Sequence, residues 1–305
     1  MVNDSHCHFF SPAFFQTLAQ QRAALQRTSD VHVQDLYREL QWDDPGSPEA
    51  LADRWVREMD ANGVHRAALI ASVPGDESSV GAAVARHPTR LVGFFMVNPA
   101  AGDARQRTRL GLTALGLTGV CLFPAMHQVP LDDPRTRRVV EEAAACPGAV
   151  VFVHCGLLSI GVRGRLGLPS AFDLALGDPL AVSRLARDFP ETLFIVPHFG
   201  AGRFADLLAA IDASANVCVD TSSSNNWIRA VPGLELSDVF RKAISAGGAS
   251  RLLFGTDSSF FPRGWQRGIY EQQTSILQEL DITPEEQSLI LHGNFERLFP
   301  APRSG

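Results

Sequence analysis

Ala149-Val150-Val151-Phe152-Val153-His154-Cys155-Gly156 carries five apolar residues without a polar break and then stops at a histidine and a glycine. A strand with one wet face alternates apolar and polar positions. An unbroken apolar run instead fits a strand covered on both faces, as in a parallel sheet. Seven further short β-branched or apolar runs lie along the chain, the first of them interrupted by polar residues: Val2–Cys7, Arg66–Ala71, Leu91–Val97, Gly119–Phe123, Leu193–Pro197, Val217–Asp220 and Arg251–Gly255. Between the runs, apolar residues recur at helical spacing. Leu51, Trp55, Val56 and Met59 form one stripe, Val182, Leu185, Ala186 and Phe189 a second, and Phe204, Leu207, Leu208 and Ile211 a third. Asp178-Pro179 reads as an N-cap followed by the first helical residue. Thr283-Pro284-Glu285-Glu286 reads as a capping box, with Gly293 stopping that helix.

Eight β/α units in 305 residues predict an α/β chain folded as a (β/α)8 TIM barrel, one domain over residues 1–305, in preference to an open doubly wound sheet. No Gly-x-Gly-x-x-Gly follows any run, so a dinucleotide site of that type has no support. No motif recurs at a fixed period, and no low-complexity linker divides the chain. Residues 11–50 are an inserted segment after strand one, with Phe14, Phe15, Trp42 and the turn Asp44-Pro45-Gly46. It is expected on the face where barrel active sites form.

A composition of 45% hydrophobic and 20% charged residues excludes a disordered chain, and 25 glycines without a period exclude a collagen-like one. The balance of 33 acids against 27 bases, a net charge of -6, speaks against a nucleic-acid partner. Five cysteines do not read as a disulfide framework. The start, Met1-Val2-Asn3-Asp4-Ser5, lacks a basic and then apolar leader, and no window of 18 apolar residues occurs. The expectation is a cytoplasmic protein with a small-molecule substrate and no membrane partner; the oligomeric state is not legible.

His6 and His8 flank Cys7 at the end of the first run, and on a strand such neighbours point to one side. Two imidazoles there can converge on a metal at about 2.0–2.1 Å. Three further runs end in ligand-type residues: the fifth at His154, the sixth at His198 and the eighth at Asp257. In a barrel these ends share one rim. His32, His65, His87 and His127 read as satisfied or exposed side chains.

The ordered set His-x-His, His, His and Asp is similar to that of the amidohydrolase superfamily. The wider wording resembles its "amidohydrolase 2" branch, the metal-dependent TIM-barrel enzymes related to aminocarboxymuconate semialdehyde decarboxylase. The phrases that carry the likeness are Asp4-Ser5-His6-Cys7-His8, His87-Pro88 leading into Gly93-Phe94-Phe95, Val97-Asn98-Pro99, Gly119-Val120, Pro197-His198-Phe199-Gly200, Phe254-Gly255-Thr256-Asp257, and Gly293-Asn294 before Leu298-Phe299. The resemblance spans Asp4 to Phe299. It implies that His6, His8, His154 and Asp257 ligate a divalent metal and that His198 serves as acid/base, with Asp257 available as a base as well. Two-metal members usually have a bridging Lys on strand four. Here Val120-Cys121-Leu122-Phe123 offers none, which argues for one metal, and Cys121, Cys7 and Cys155 read first as packing residues. Zn2+ suits a His3Asp set, and Mn2+ or Fe2+ also fit.

A bound Zn2+ lowers the pKa of water from 15.7 to about 7, which provides hydroxide at neutral pH. The implied activity is hydrolysis of a small cyclic or carboxylated compound. The alternatives are a nonoxidative decarboxylase using the same ligands, and a catalytically silent metal-binding protein. Arg163 and Arg165 after strand five, and Arg263, Trp265 and Arg267 after strand eight, are candidates for holding substrate, an arginine by clamping a carboxylate. Phe9, Phe10, Phe14, Phe15 and Trp42 could wall an apolar pocket; Phe14 and Phe15 could equally be core residues of an added helix. Ser222–Asn226 could hydrogen-bond the substrate.

Overall fold

The computed structural model describes residues 1–223 and 225–302. Its sheet has eight strands: β1 (Val2–Phe9), β2 (Val64–Ala71), β3 (Leu91–Met96), β4 (Gly119–Leu122), β5 (Val150–Val153), β6 (Leu193–Val196), β7 (Val217–Asp220) and β8 (Leu252–Leu253). They pair in chain order, each parallel to the next, with a helix or turn in every crossover. The ring closes where β8 meets β1. There Ser5 donates its N–H to Phe254 O (2.9 Å), Asp257 to His6 O (2.9 Å) and His8 to Ser258 O (2.7 Å). The architecture is the (β/α)8 barrel expected from the runs.

Each strand is covered on both sides. Phe152 packs inside the barrel with Ile70, Phe94, Cys121, Ile195 and Leu253. Its neighbours Val151 and Val153 face the helices, in the core that also takes Cys7, Trp55 and Leu207. The helix Pro48–Asn62 buries Leu51, Trp55 and Met59, accepts Ser47 as its N-cap, and ends at Gly63 with φ +68°. Asp178 caps Pro179–Asp188, and the Thr283/Glu286 box is reciprocal.

One expectation fails. Gly293 does not stop the helix; with φ -63° it lies inside a wide turn, Leu289–Gly293, that leads directly into Asn294–Leu298. Buried Asn294 donates to Ala249 O and Leu252 O, which anchors this turn beneath β8. Phe295 and Phe299 then plug the inner core. Burying two phenyl rings outweighs the roughly 1 kcal/mol by which Gly disfavours a helix.

The insertion forms two helices, Pro12–Gln26 and Val33–Leu40. They make a core of their own: Phe14, Phe15, Leu18, Leu36 and Trp42 pack with Val162 and Leu166 from the segment after β5. Phe14 and Phe15 are thus core residues of the insertion, and each also borders a cavity.

Candidate metal centre

His6 lies inside the barrel at the end of β1. Its Nδ1 is 2.6 Å from Asp220 Oδ2 at the end of β7, and both side chains are buried. A carboxylate only accepts, so Nδ1 carries the proton and Nε2 keeps its lone pair. His8 is held the same way, with Nδ1 2.7 Å from Ser72 Oγ. The two Nε2 atoms converge on Asp257 Oδ1, at 3.7 Å from His6 and 3.1 Å from His8. The ligand atoms of His6, His8 and Asp257 lie within 4.8 Å of one another. Burial alone would raise the Asp257 carboxyl; the imidazoles of His8, His6 and His198 around it outweigh burial and hold the group well below the usual carboxylate range. It is anionic at neutral pH, as a ligand must be.

His154 follows β5 and stacks on Phe123, with ring centroids 5.3 Å apart. It stands beside His198, 5.4 Å from ring to ring, and outside the closest group of three. Its Nδ1 is shut from solvent and has no partner among the described residues. Burial, and then the neighbouring imidazoles, push its pKa far down, so the ring is neutral, the form a metal ligand requires. A buried polar atom left unpaired costs about 1–3 kcal/mol, and a bond to a cation is one way to satisfy it. The orphaned nitrogen and the mixed nitrogen and oxygen donors fit a divalent metal such as Zn2+.

His198 follows β6 in an unusual turn. His198 (φ 55°), Phe199 (49°), Gly200 (75°) and Ala201 (42°) are all left-handed in succession. L-residues resist this by roughly 1–2 kcal/mol each, so neighbours must impose it. Leu157 donates its N–H to Ala201 O at 2.7 Å. Gly156, itself at φ +70°, packs so closely that a Cβ there would lie 2.3 Å from the carbonyl oxygens of Gly200 and Ala201. The turn sets the His198 ring 5.0 Å from that of His6. Its Nδ1 meets Ser222 Oγ at 2.8 Å, and the same hydroxyl is 3.1 Å from His6 Nδ1. Burial lowers the His198 pKa against the opposing pull of Asp257.

Close packing behind the site requires a second glycine. A Cβ on Gly255 would be 2.8 Å from Asp220 Oδ1 and 3.1 Å from His6 Cβ. Below it, buried Asp4 accepts from Thr256 Oγ1, from Trp265 Nε1 (2.7 Å) and from the backbone of His6 (2.9 Å) and Thr256 (3.1 Å). This pins the first strand to the segment after β8.

Trp265, expected among the substrate-binding residues, turns its indole into this network. It is buried, and its indole N–H serves a carboxylate that burial leaves in need of donors. Arg163 donates to Pro169 O and to Gln21 Oε1 (2.6 Å), and Arg165 donates to Leu40 O while lying 5.8 Å from the Trp42 ring. Both tie the segment after β5 to the insertion. Arg267 pairs with Glu271, both side chains exposed to solvent. Arg263 lies beside the metal-ligand group: it sits over the Phe260 ring at 4.6 Å and donates to Ser259 Oγ (2.6 Å) and Asp257 O (3.3 Å). Cys121 faces the inner core, and burial pushes its thiol well up. Cys7 points to the outer core, as expected. Phe10 stacks on Phe14 at 4.0 Å and reaches within 5.7 Å of His8.

Sequence reasoning missed Asp220, Ser222 and Ser72 as partners of the histidines. Asp220 had a signal, since it ends an apolar run as His154 does. Ser222 was considered only within Ser222–Asn226 as a hydrogen-bonding loop; Ser224 of that stretch lies outside the described residues. Ser72 and Ser222 carry no local signature, because their partners come from other strands.

The chain belongs to the amidohydrolase family, whose profile (Amidohydro_2, Amidohydrolase) matches residues 4–301. The fold is shared with a 5-carboxyvanillate decarboxylase from Novosphingobium aromaticivorans, solved with bound manganese and 3-methoxy-4-hydroxy-5-nitrobenzoic acid: TM-score 0.64, 13% identity, covering 98% of this chain and 97% of that one. A "probable 2-pyrone-4,6-dicarboxylic acid hydrolase" from Acinetobacter baumannii, with citric acid bound, aligns at TM-score 0.60 and 15% identity over 98% of both chains. An amidohydrolase from Burkholderia multivorans with bound zinc aligns at TM-score 0.61 and 16% identity over 99% of this chain and 100% of that one. No curated protein sequence matches the chain. No helix among the described residues is long and apolar enough to cross a membrane.

Proposed function

We propose that the chain is a metal-dependent hydrolase of a small cyclic or carboxylated organic compound. His6, His8, His154 and Asp257 hold one divalent ion, and His198 moves the proton. The observation that carries this reading is the convergence of His6, His8 and Asp257 within 4.8 Å on the barrel rim, with the His198 ring 5.0 Å from that of His6. Zinc is the first choice, with manganese or iron as alternatives; the likeness to barrels that carry zinc and manganese supports a divalent ion. When bound, such an ion acts as a Lewis acid and can bring the pKa of water from 15.7 to about 7.

The chain's own residues divide the remaining work. Asp220 and Ser72 fix the ring orientations of His6 and His8. His198, with Nδ1 directed at Ser222, has Nε2 left to accept and return a proton. Arg263, next to Asp257, is placed to hold one carboxylate. That same pairing supports a second reading, a nonoxidative carboxy-lyase, in which His198 protonates the carbon that then loses carbon dioxide. The fold shared with a 5-carboxyvanillate decarboxylase favours keeping it. A silent metal-binding protein would have no use for His198.

Elemental analysis of the purified protein, joined to an activity screen that detects carbon dioxide and acid release separately, tests this. Metal-dependent acid release is expected. Carbon dioxide without acid supports the carboxy-lyase, and a metal-free protein overturns both.

A further inference from the structure

His6 and Asp257 face each other across the seam where β8 meets β1, and both sit on irregular backbone. In β1, Asp4 pairs with Ala67 and Cys7 with Leu69, so Ser5 and His6 together stand opposite one residue of β2. That is a β-bulge, which re-aims a side chain and takes residues off the regular ladder. Asp257 has φ 60°, left-handed backbone that a non-glycine residue holds only when its surroundings impose it. β8 ends at Leu253, short of it. One carboxylate ties both pieces down. Asp4 Oδ1 accepts the N–H of His6 at 2.9 Å and the N–H of Thr256 at 3.1 Å. Asp257, the next residue, donates its own N–H to His6 O at 2.9 Å. These three bonds close a ring through Asp4, His6, Asp257 and Thr256. The other oxygen, Oδ2, accepts from Thr256 Oγ1 and from Trp265 Nε1 at 2.7 Å. Asp4 is fully buried, so each donor would otherwise be left without a partner away from water.

We infer that Asp4 is a positioning residue of the metal centre: its Oδ1 sets the spacing between the His6 and Asp257 ligands, while its Oδ2, with Trp265, serves the packing of the seam. Asp4 acts through backbone alone. His6 Nε2 and Asp257 Oδ1 stand 3.7 Å apart. A shared ion asks for bonds of about 2.0–2.2 Å to each, which leaves little room for drift. Without Oδ1, the His6 and Thr256 N–H groups lose their common acceptor. The bulge is then free to relax toward regular pairing, and a one-residue slip in a strand turns its side chains to the opposite face. His6 would turn away from Asp257. This inference rests on the proposed reading of His6, His8, His154 and Asp257 as the ligands of one ion, and it names what holds two of them in register.

The test compares variants of the full chain by zinc affinity, read in competition with a chelator well below the melting temperature, and by thermal melting. Asp4→Ala removes both oxygens and should lose at least about tenfold in zinc affinity, the lower end of what removing a support behind a ligand costs. Asp4→Asn can keep its carbonyl on the two backbone N–H groups. Its NH2 then faces Thr256 Oγ1, which can accept, and the Trp265 N–H, which cannot. This variant should melt lower yet hold zinc within about threefold of wild type, short of the effect of a lost support. Trp265→Phe should likewise keep its zinc. If Asp4→Ala fails to fold, Asp4→Ser takes its place with the same expected loss, because its hydroxyl can take the His6 N–H but is one bond too short to hold Thr256 as well. Wild-type zinc affinity in Asp4→Ala or Asp4→Ser would leave Asp4 as packing. An equal loss in Trp265→Phe would make the effect a general softening of the seam. Either result overturns the inference. A wild-type protein that binds no divalent ion overturns the reading beneath it, and the inference with it.

Discussion

Asp220→Asn is the substitution that most sharply separates a positioned metal ligand from a packed histidine. The Asp220 carboxylate is fully buried, takes the Nδ1 proton of His6 at 2.6 Å and accepts the Ser222 N–H through its other oxygen. An amide keeps the size and one acceptor. The Ser222 N–H claims that acceptor, which turns the NH2 toward His6. Two donors then face each other. His6 is driven to the opposite tautomer, with its proton on Nε2, the nitrogen that points at Asp257. That nitrogen can no longer ligate. Removing such a partner behind a ligating histidine typically costs 10–100-fold in metal affinity, about 1.4–2.7 kcal/mol. Competition against a chelator of known affinity, on apo wild type and variant, measures it. Metal affinity unchanged within twofold would refute the reasoning and leave His6–Asp220 as ordinary core packing.

Other outcomes follow from the same geometry. His198→Ala should retain its metal and lose roughly 100- to 10,000-fold in turnover, read by metal content and kinetics on one preparation; metal loss in step with activity would make His198 a ligand. Gly156→Ala should lower the melting temperature and reduce activity, because a Cβ 2.3 Å from two carbonyl oxygens must displace the left-handed turn that carries His198; a wild-type melt would contradict this. Burial raises the Asp76 carboxyl from 3.8 to about 6, beside the Ser11 cap of the inserted helix. The folded state therefore binds this proton more tightly than the unfolded chain does. The favourable contribution is present at low pH and is lost as pH rises from about 4 to about 6, a change on the order of 3 kcal/mol. Asp76→Asn should gain stability relative to wild type across that window in paired thermal melts, and parallel curves would refute it.

The barrel was legible because parallel strands buried on both faces leave apolar runs, and seven of the eight observed strands fall on such a run; β1, with Asn3, Asp4, Ser5 and His6 in succession, is the exception. The ends of elements were less legible. Gly293 reads locally as a stop, yet Asn294 and Phe295 find partners under the barrel that only the closed ring supplies. The four histidines and Asp257 stood out because each ends a run at the same rim. Their supports did not stand out: His6 and Asp220 are 214 residues apart, and nothing near Ser222 or Ser72 marks either as a histidine's partner. Trp265 read as a candidate substrate contact after strand eight, whereas its indole turns inward to the buried Asp4 across the seam. His127 read as a satisfied or exposed side chain, whereas the fold leaves its Nδ1 buried and unpaired at a cleft wall.

The central claim, one divalent ion held by His6, His8, His154 and Asp257, is tested most directly by X-ray absorption on protein loaded with one equivalent of zinc. The account predicts a shell of nitrogen and oxygen only, at about 2.0–2.2 Å, with the outer scattering of three imidazoles, and a loss of one imidazole in His154→Ala. A sulfur scatterer at about 2.3 Å would bring Cys121 into the shell, and an unchanged imidazole count in His154→Ala would remove His154 from it; either result contradicts the assignment.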